Sequence, residues 1–91
     1  MSVYVDPLVD WGWRLGPSCH LIADTLEELH EFAARLGLRR SWFQPHSTPH
    51  YDLTASKRAA AVALGAVELA RHPFMLKLRE IRERLVAGVA L

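Results

Sequence analysis

Residues 20–38, with the sequence HLIADTLEELHEFAARLGL, contain the pattern that decides the fold. The apolar run after His20 is typical of a buried strand. Thr25 followed by Glu28 forms a capping-box pattern, in which a hydroxyl at the helix start accepts a backbone N–H three residues later. Apolar residues then recur on one helical face: Leu29, Phe32, Ala33 and Leu36. The segment predicts a strand followed directly by an amphipathic helix that ends at Gly37.

Strand and helix patterns alternate on either side of this segment. The predicted segments are a strand over 3–5, a loop over 7–18, a strand over 41–44, a loop over 45–49, a helix from its N-cap Thr54 to about Gly65, a strand over 66–69 and a last helix that starts at 72–73. Such alternation favours an α/β fold. We therefore expect one small domain over residues 1–91, with a mostly parallel sheet of three or four strands and about three helices.

Length and composition predict one globular domain in the cytoplasm. Of the 91 residues, 51% are apolar and 23% are charged, and the net charge is +1. Because no run of about 18 apolar residues occurs, no membrane-spanning segment is expected, and the first six residues lack the features of a secretory signal. Cys19 is the single cysteine, so no internal disulfide can form, which favours a reducing compartment.

Several short motifs resemble one protein family. They are Tyr-Val-Asp at 4–6, Trp-Gly-Trp at 11–13, Cys-His before Leu-Ile-Ala-Asp at 19–24, Leu-Gly-Leu at 36–38, Trp-Phe-Gln at 42–44, His-Tyr-Asp-Leu-Thr at 50–54, and Lys-Arg before Ala-Leu-Gly-Ala at 57–66. Together they resemble domain-of-unknown-function family 4031, a short bacterial and phage domain, over about residues 3–82. The resemblance implies domain boundaries and a bacterial source, leaves residues 86–91 as a tail, and implies no particular activity.

Four polar residues are candidates for acid–base catalysis: His50, Asp6, His20 and Asp52. In open α/β sheets ligands bind beyond the carboxyl ends of the strands, which here would be Asp6, Asp24, Gln44 and Glu68. His50 and Asp52 flank Tyr51 in the densest polar run of the chain, where His50 would donate or accept a proton and Tyr51 would contact a ligand. Asp52 could instead cap a local turn, and Tyr51 could belong to the core.

The start of the second predicted helix suggests an anion site. Helix N-termini present unpaired N–H groups and a positive dipole, and acidic residues normally follow them. Here Lys57 and Arg58 occupy the first turns, next to the hydroxyls of Thr54 and Ser56. These four residues could hold a phosphate or carboxylate, although they could equally be a solvated helix start, since no glycine-rich phosphate loop is present.

Two further hypotheses about function rest on other residues of the sequence. Trp11 and Trp13 could stack on a base or sugar ring, and residues 54–91 carry a net charge of +4 against −3 for residues 1–53. A protein- or nucleic-acid-interaction module is therefore one alternative, although the small overall charge argues against non-specific nucleic-acid binding. Completion of the core is the simpler role for the tryptophans.

A metal-dependent hydrolase on Asp6, His20, His50 and Asp52 is the other alternative, because these side chains offer donors for zinc or manganese. No His-Glu-x-x-His or Cys-x-x-Cys spacing occurs, so the sequence assigns no metal ligands and names no cofactor. The preferred hypothesis is a small ligand-binding or enzymatic domain that acts on a phosphorylated or nucleotide-like anion held at the second helix. The sequence leaves open whether it is catalytic and what its oligomeric state is.

Overall fold

The structure is a computed structural model that describes residues 2–46 and 48–88. Its strands are β1 (Val3–Val5), β2 (Ser18–Ala23), β3 (Tyr51–Thr54) and β4 (Val67–Glu68). Its helices are α1 (Leu26–Arg35), α2 (Ala55–Ala63) and α3 (Arg71–Val86), and a 3-10 turn, Arg40–Trp42, lies between α1 and β3. Within these residues no helix has the length and apolar character needed to cross a bilayer.

The strands form a mixed sheet in the order β3-β2-β1-β4. β2 pairs antiparallel with both β1 and β3, and β4 pairs parallel with β1. The α/β architecture of three helices and four strands is confirmed, but the prediction of a mostly parallel sheet is wrong. Residues 6–17 return directly from β1 to β2, whereas a parallel pair needs a crossover, usually through a helix. After α1, residues 36–50 run back along the domain before β3 begins. For this reason β3 also runs antiparallel to β2.

The third strand lies ten residues later than predicted. Residues 41–44 do not form a strand: they include the end of the 3-10 turn, and Trp42 is exposed. The strand is β3, in which buried Tyr51 and Leu53 alternate with exposed Asp52. This alternation is the period-2 signal of a half-buried strand, in a polar run that the sequence pattern places between a loop and a helix start and assigns to no strand. Gln44 does bridge to His50 in antiparallel fashion, as an isolated pair.

The two faces of the sheet bury different sets of side chains. The first face packs on α1 and α2 through the main core, which includes Val3, Val5, Cys19, Leu21, Ala23, Leu29, Phe32, Tyr51, Leu53 and Ala61. The second face packs on α3 through a smaller cluster of Ile22, Phe74 and Ile81. His20 lies on the second face, like Ile22, because alternate residues of a strand point the same way. Its ring centroid is 6.3 Å from that of Phe74, so His20 borders the area that α3 covers.

The predicted helix starts are confirmed for the first two helices. Thr25 Oγ1 accepts the backbone N–H of Glu28 at 3.1 Å, and Thr54 Oγ1 accepts that of Lys57 at 3.3 Å. The reciprocal bond of a full capping box is not formed within the described residues, where Glu28 Oε1 is buried without a partner. α3 begins at Arg71 with Ala70 as N-cap, so His72 belongs to the first turn.

The alternation along β2 makes a prediction about Cys19. Its side chain is 1% exposed in the main core, and burial raises the pKa of the thiol to about 12, with the charge of Asp6 adding to the effect. Since the thiolate is the reactive form, we expect no reaction of native protein with a disulfide reagent at mildly alkaline pH, and full reaction in concentrated guanidinium chloride.

Ala34→Cys, on the exposed side of α1, is the matched control. In that variant one thiol should react in the native state and two after unfolding. Rapid native labelling of Cys19 would contradict the burial of this face.

Candidate metal centre

Two histidines and one carboxylate converge on the second face of the sheet. His20 on β2 is paired in register with Asp52 on β3, so their side chains leave the sheet together. His50 comes two residues before Asp52 and therefore points to the same face. The Nε2 atoms of His20 and His50 lie 3.9 and 3.7 Å from Asp52 Oδ1. One ligand atom from each of the three lies within 4.8 Å of the others.

The far nitrogen of each imidazole is held by an oxygen acceptor. His20 Nδ1 is 2.9 Å from Asp6 Oδ2, and His50 Nδ1 is 2.9 Å from the carbonyl oxygen of Thr48. A carbonyl can only accept, so His50 Nδ1 carries a proton and donates it. The ionised Asp6 carboxylate imposes the same arrangement on His20. In the neutral imidazoles, each Nε2 therefore presents a lone pair toward Asp52.

The carboxylate of Asp52 is oriented as well. Its Oδ2 accepts a hydrogen bond from Gln44 Nε2, which leaves Oδ1 facing the histidines. Gln44 is fixed in turn by two backbone hydrogen bonds with His50, at 2.9 and 3.0 Å. Neither Gln44 nor Thr48 was a candidate from the sequence, since the first was assigned to a strand and the second to a loop. No motif spacing identifies them, because both act only once the 44–50 bridge has formed.

The cluster is half-buried. The side chains of His20 and Asp52 are 38% and 40% exposed, while Asp6 is 16% exposed. The hydrogen bond from Asp6 raises the pKa of His20; partial burial opposes the shift, and the charges of Asp6 and Asp52 add to it. An imidazole beside two carboxylates is a strong electron-pair donor, which suits it to binding a cation.

The donor set and its spacing fit one divalent metal ion. Two ligands bound to zinc at about 2.0–2.1 Å in a tetrahedral arrangement lie about 3.4 Å apart. The Nε2 to Oδ1 separations of 3.7 and 3.9 Å exceed that value by a few tenths of an ångström, and all three ligand atoms lie within 4.8 Å of one another. Rotation of the two imidazoles would bring the three atoms around one metal ion. Metal-binding histidines almost always donate their other N–H to a carboxylate or a carbonyl, as His20 and His50 do.

Two clefts open on either side of the cluster. The arginine cleft, of about 440 Å³, is lined by His20, His50 and the α3 residues Arg79 and Arg82, among others. The tryptophan cleft, of about 570 Å³, is lined by Asp52 and by Trp13, Trp42 and Phe43, among others. Asp52 thus borders the tryptophan cleft, while His20 and His50 border the arginine cleft, so each of the three converging residues adjoins one of the two clefts.

The structure brings the four candidate catalytic residues together, and Trp13, Thr54 and Lys57 line the same cleft as Asp52. Tyr51 points to the first face, where its hydroxyl bonds His30 Nδ1 at 2.9 Å. His30 is thus half-buried against Tyr51 and Phe43. Trp11 is exposed beside a third cleft that also includes Asp6 and His20.

The four residues of the expected anion site form hydrogen bonds with other groups of the protein. Lys57 Nζ donates to the carbonyl oxygen of Leu36 at 2.7 Å. Arg58 Nε donates to the carbonyl oxygen of Asp6 at 2.8 Å, and its Nη1 pairs with Glu68 at 2.9 Å. Thr54 and Ser56 share a hydroxyl–hydroxyl hydrogen bond at 3.2 Å. These contacts hold α2 against α1, β1 and β4.

The comparisons with known proteins identify a family. The family model described as "Protein of unknown function (DUF4031)" matches residues 3–81 of the 91-residue chain, in agreement with the resemblance found over about 3–82. No curated protein and no solved structure shows a significant match. The matched segment contains every residue of the converging cluster and of its hydrogen-bond partners. The chain belongs to the DUF4031 family of proteins of unknown function.

Proposed function

We propose that the protein is a divalent-metal-dependent hydrolase in which His20, His50 and Asp52 bind the metal. One observation carries the proposal: two imidazole Nε2 atoms and a carboxylate oxygen face one point, and the other polar atom of each side chain is already bonded. Three electron-pair donors so oriented support a metal site at this cluster.

The separations favour a metal over a simple ion pair. Hydrogen bonds between nitrogen and oxygen close to about 3.2 Å or less, and those of charged pairs to about 2.7–2.9 Å. The Nε2 to Oδ1 distances of His20 and His50 to Asp52 are 3.9 and 3.7 Å, too long for either. When both imidazoles are neutral, their Nε2 lone pairs face Asp52, and a cation between the three groups would be attracted by all of them.

Zinc is the metal that we propose first. Catalytic zinc sites use three protein ligands, often histidines with a carboxylate, and keep a fourth position open. Two histidines with one carboxylate can also bind iron(II), so iron(II) belongs in the same titration. The open position here would face the two clefts, because His20 and Asp52 are each more than a third exposed.

Hydrolysis is the reaction that such a centre supports with water as its co-reactant. Zinc lowers the pKa of bound water to about 7, which supplies hydroxide at neutral pH. Asp6 would hold His20 in place and raise its basicity, and Gln44 would keep Asp52 from rotating away. In the hydrolysis the water oxygen would form a bond to the electrophilic atom of the substrate, the bond to the leaving group would break, and that group would leave with a proton from the water. Because Cys19 is the single cysteine, we place this activity in a reducing bacterial cytoplasm.

Calorimetric titration with zinc, manganese and iron(II), the last without oxygen, tests the metal site. We expect one bound metal per chain in the wild type. His50→Ala should weaken binding by more than about 100-fold, because loss of an outer partner alone costs about 10–100-fold. His46→Ala and His72→Ala are matched controls, since both histidines are exposed and line the same cleft outside the cluster. Equal affinity in the wild type and in folded His50→Ala would contradict the proposal.

Asp6→Asn tests the support that Asp6 gives to His20. The amide keeps the shape of the carboxylate but removes its charge, so we expect a zinc affinity about 10–100-fold lower, with circular dichroism unchanged. Asp10→Asn is the control, because Asp10 is an exposed carboxylate that caps Gly12 in the adjoining loop. If both variants bind zinc as the wild type does, Asp6 has no positioning role.

A further inference from the structure

We propose that the substrate is a nucleotide unit, with its phosphate in the arginine cleft and its base against the tryptophans. The inference rests on the proposed metal-dependent hydrolase and names the class of substrate for that site. It depends on three features of the molecule: the charge of one cleft, the aromatic wall of the other, and the position of His20, His50 and Asp52 between them.

The arginine cleft is suited to an anion. His72, Met75, Arg79 and Arg82 follow one another at spacings of three and four residues, so one face of α3 lines the cleft. In residues 2–46 and 48–88, neither Arg79 nor Arg82 forms an ion pair, whereas the cations at 77 and 84 on the same helix both pair with Glu80. None of the lining residues in this part of the chain is acidic. Two unpaired guanidinium groups beside the metal ligands favour a phosphate.

The tryptophan cleft is suited to a flat aromatic group. Trp13 and Trp42 are 40% and 51% exposed, and with Phe43 they supply aromatic walls to the cleft. Exposed tryptophans in a chain of 91 residues are not needed for its core, which is complete without them. Stacking on such rings binds bases with little preference for sequence.

The metal ligands lie between the two clefts. Asp52 lines the tryptophan cleft and His50 lines the arginine cleft, and their facing atoms are 3.7 Å apart. A ligand with its aromatic part in one cleft and its anionic part in the other would therefore lie across the proposed metal-binding residues. A phosphate ester of a nucleoside has this arrangement of groups, in a free nucleotide or within single-stranded nucleic acid.

The reaction at this position would be hydrolysis of a phosphate ester. The oxygen of water forms a bond to phosphorus, the bond between phosphorus and the ester oxygen breaks, and that oxygen leaves with a proton. One water is consumed, and neither oxidant nor reductant is required. Arg79 and Arg82 would neutralise the charge on the phosphoryl oxygens as it is redistributed.

Binding of fluorescent single-stranded oligothymidylate to the zinc-loaded full chain tests the inference. We expect Arg79→Gln/Arg82→Gln to weaken binding by at least about 10-fold and to lower the slope of log affinity against log salt by about two. Arg14→Gln/Arg35→Gln is the matched control, since both arginines are exposed and line neither cleft. An abasic oligomer of the same length should bind the wild type more weakly, and Trp13→Leu should remove that difference.

Thymidine monophosphate as competitor distinguishes the two sources of the substrate. Competition at similar concentrations of nucleotide units supports a free nucleotide, and competition that needs a large excess supports a nucleic acid. The inference is overturned if the arginine double variant binds as tightly as its control, or if abasic and thymidine oligomers bind equally. Zinc is titrated into the same samples, so zinc binding without oligonucleotide binding overturns this inference alone, and absence of zinc binding overturns the proposed function.

Discussion

The carboxylate of Asp6 makes the contact on which the rest of the site depends. One oxygen accepts the backbone N–H of His20 at 2.7 Å and the other holds its Nδ1 at 2.9 Å, so strand pairing and side-chain orientation are fixed by one residue. Asp6 lies where β1 gives way to Pro7, and its carboxylate bonds the β2 backbone just beyond the last paired residues, Val5 and Leu21. Its own carbonyl accepts from Arg58. Movement of Asp6 would therefore disturb β1, β2 and α2 together.

One face of the sheet carries the main core, and the other carries the polar residues of the candidate site. Along β2, Cys19 and Leu21 pack into the main core, while His20 and Ile22 face α3. α3 buries Ile22 with Phe74 and Ile81 but leaves His20 and Asp52 beside open clefts. A half-buried position keeps the donors in place and still admits a ligand. The polar residues cost the fold little, because the core residues lie on the opposite face or farther along the strand.

The sequence was informative about local structure and about side chains that carry chemistry. Thr25 and Thr54 predict two helix starts, which the structure confirms. The sequence alone also indicates four candidate catalytic residues that lie together in the structure: Asp6, His20, His50 and Asp52. The pairing of the strands could not be predicted from the sequence. The direction of β3 depends on the path of residues 36–50, and this segment has no periodic pattern of apolar residues. The contacts of Lys57 and Arg58 with the carbonyls of Leu36 and Asp6 could not be predicted, because these acceptors lie 21 and 52 residues away in the chain. Hydrogen bonds between residues so far apart in the chain cannot be inferred from the local sequence.

A crystal of the zinc-soaked protein, measured on both sides of the zinc absorption edge, tests the central claim most directly. We expect one strong anomalous peak at about 2.0–2.2 Å from His20 Nε2, His50 Nε2 and Asp52 Oδ1. We also expect the Nδ1 contacts to Asp6 and Thr48 to remain in place. A zinc-saturated crystal with the peak elsewhere, or with His20 and His50 hydrogen-bonded to Asp52 and no metal between them, would contradict it.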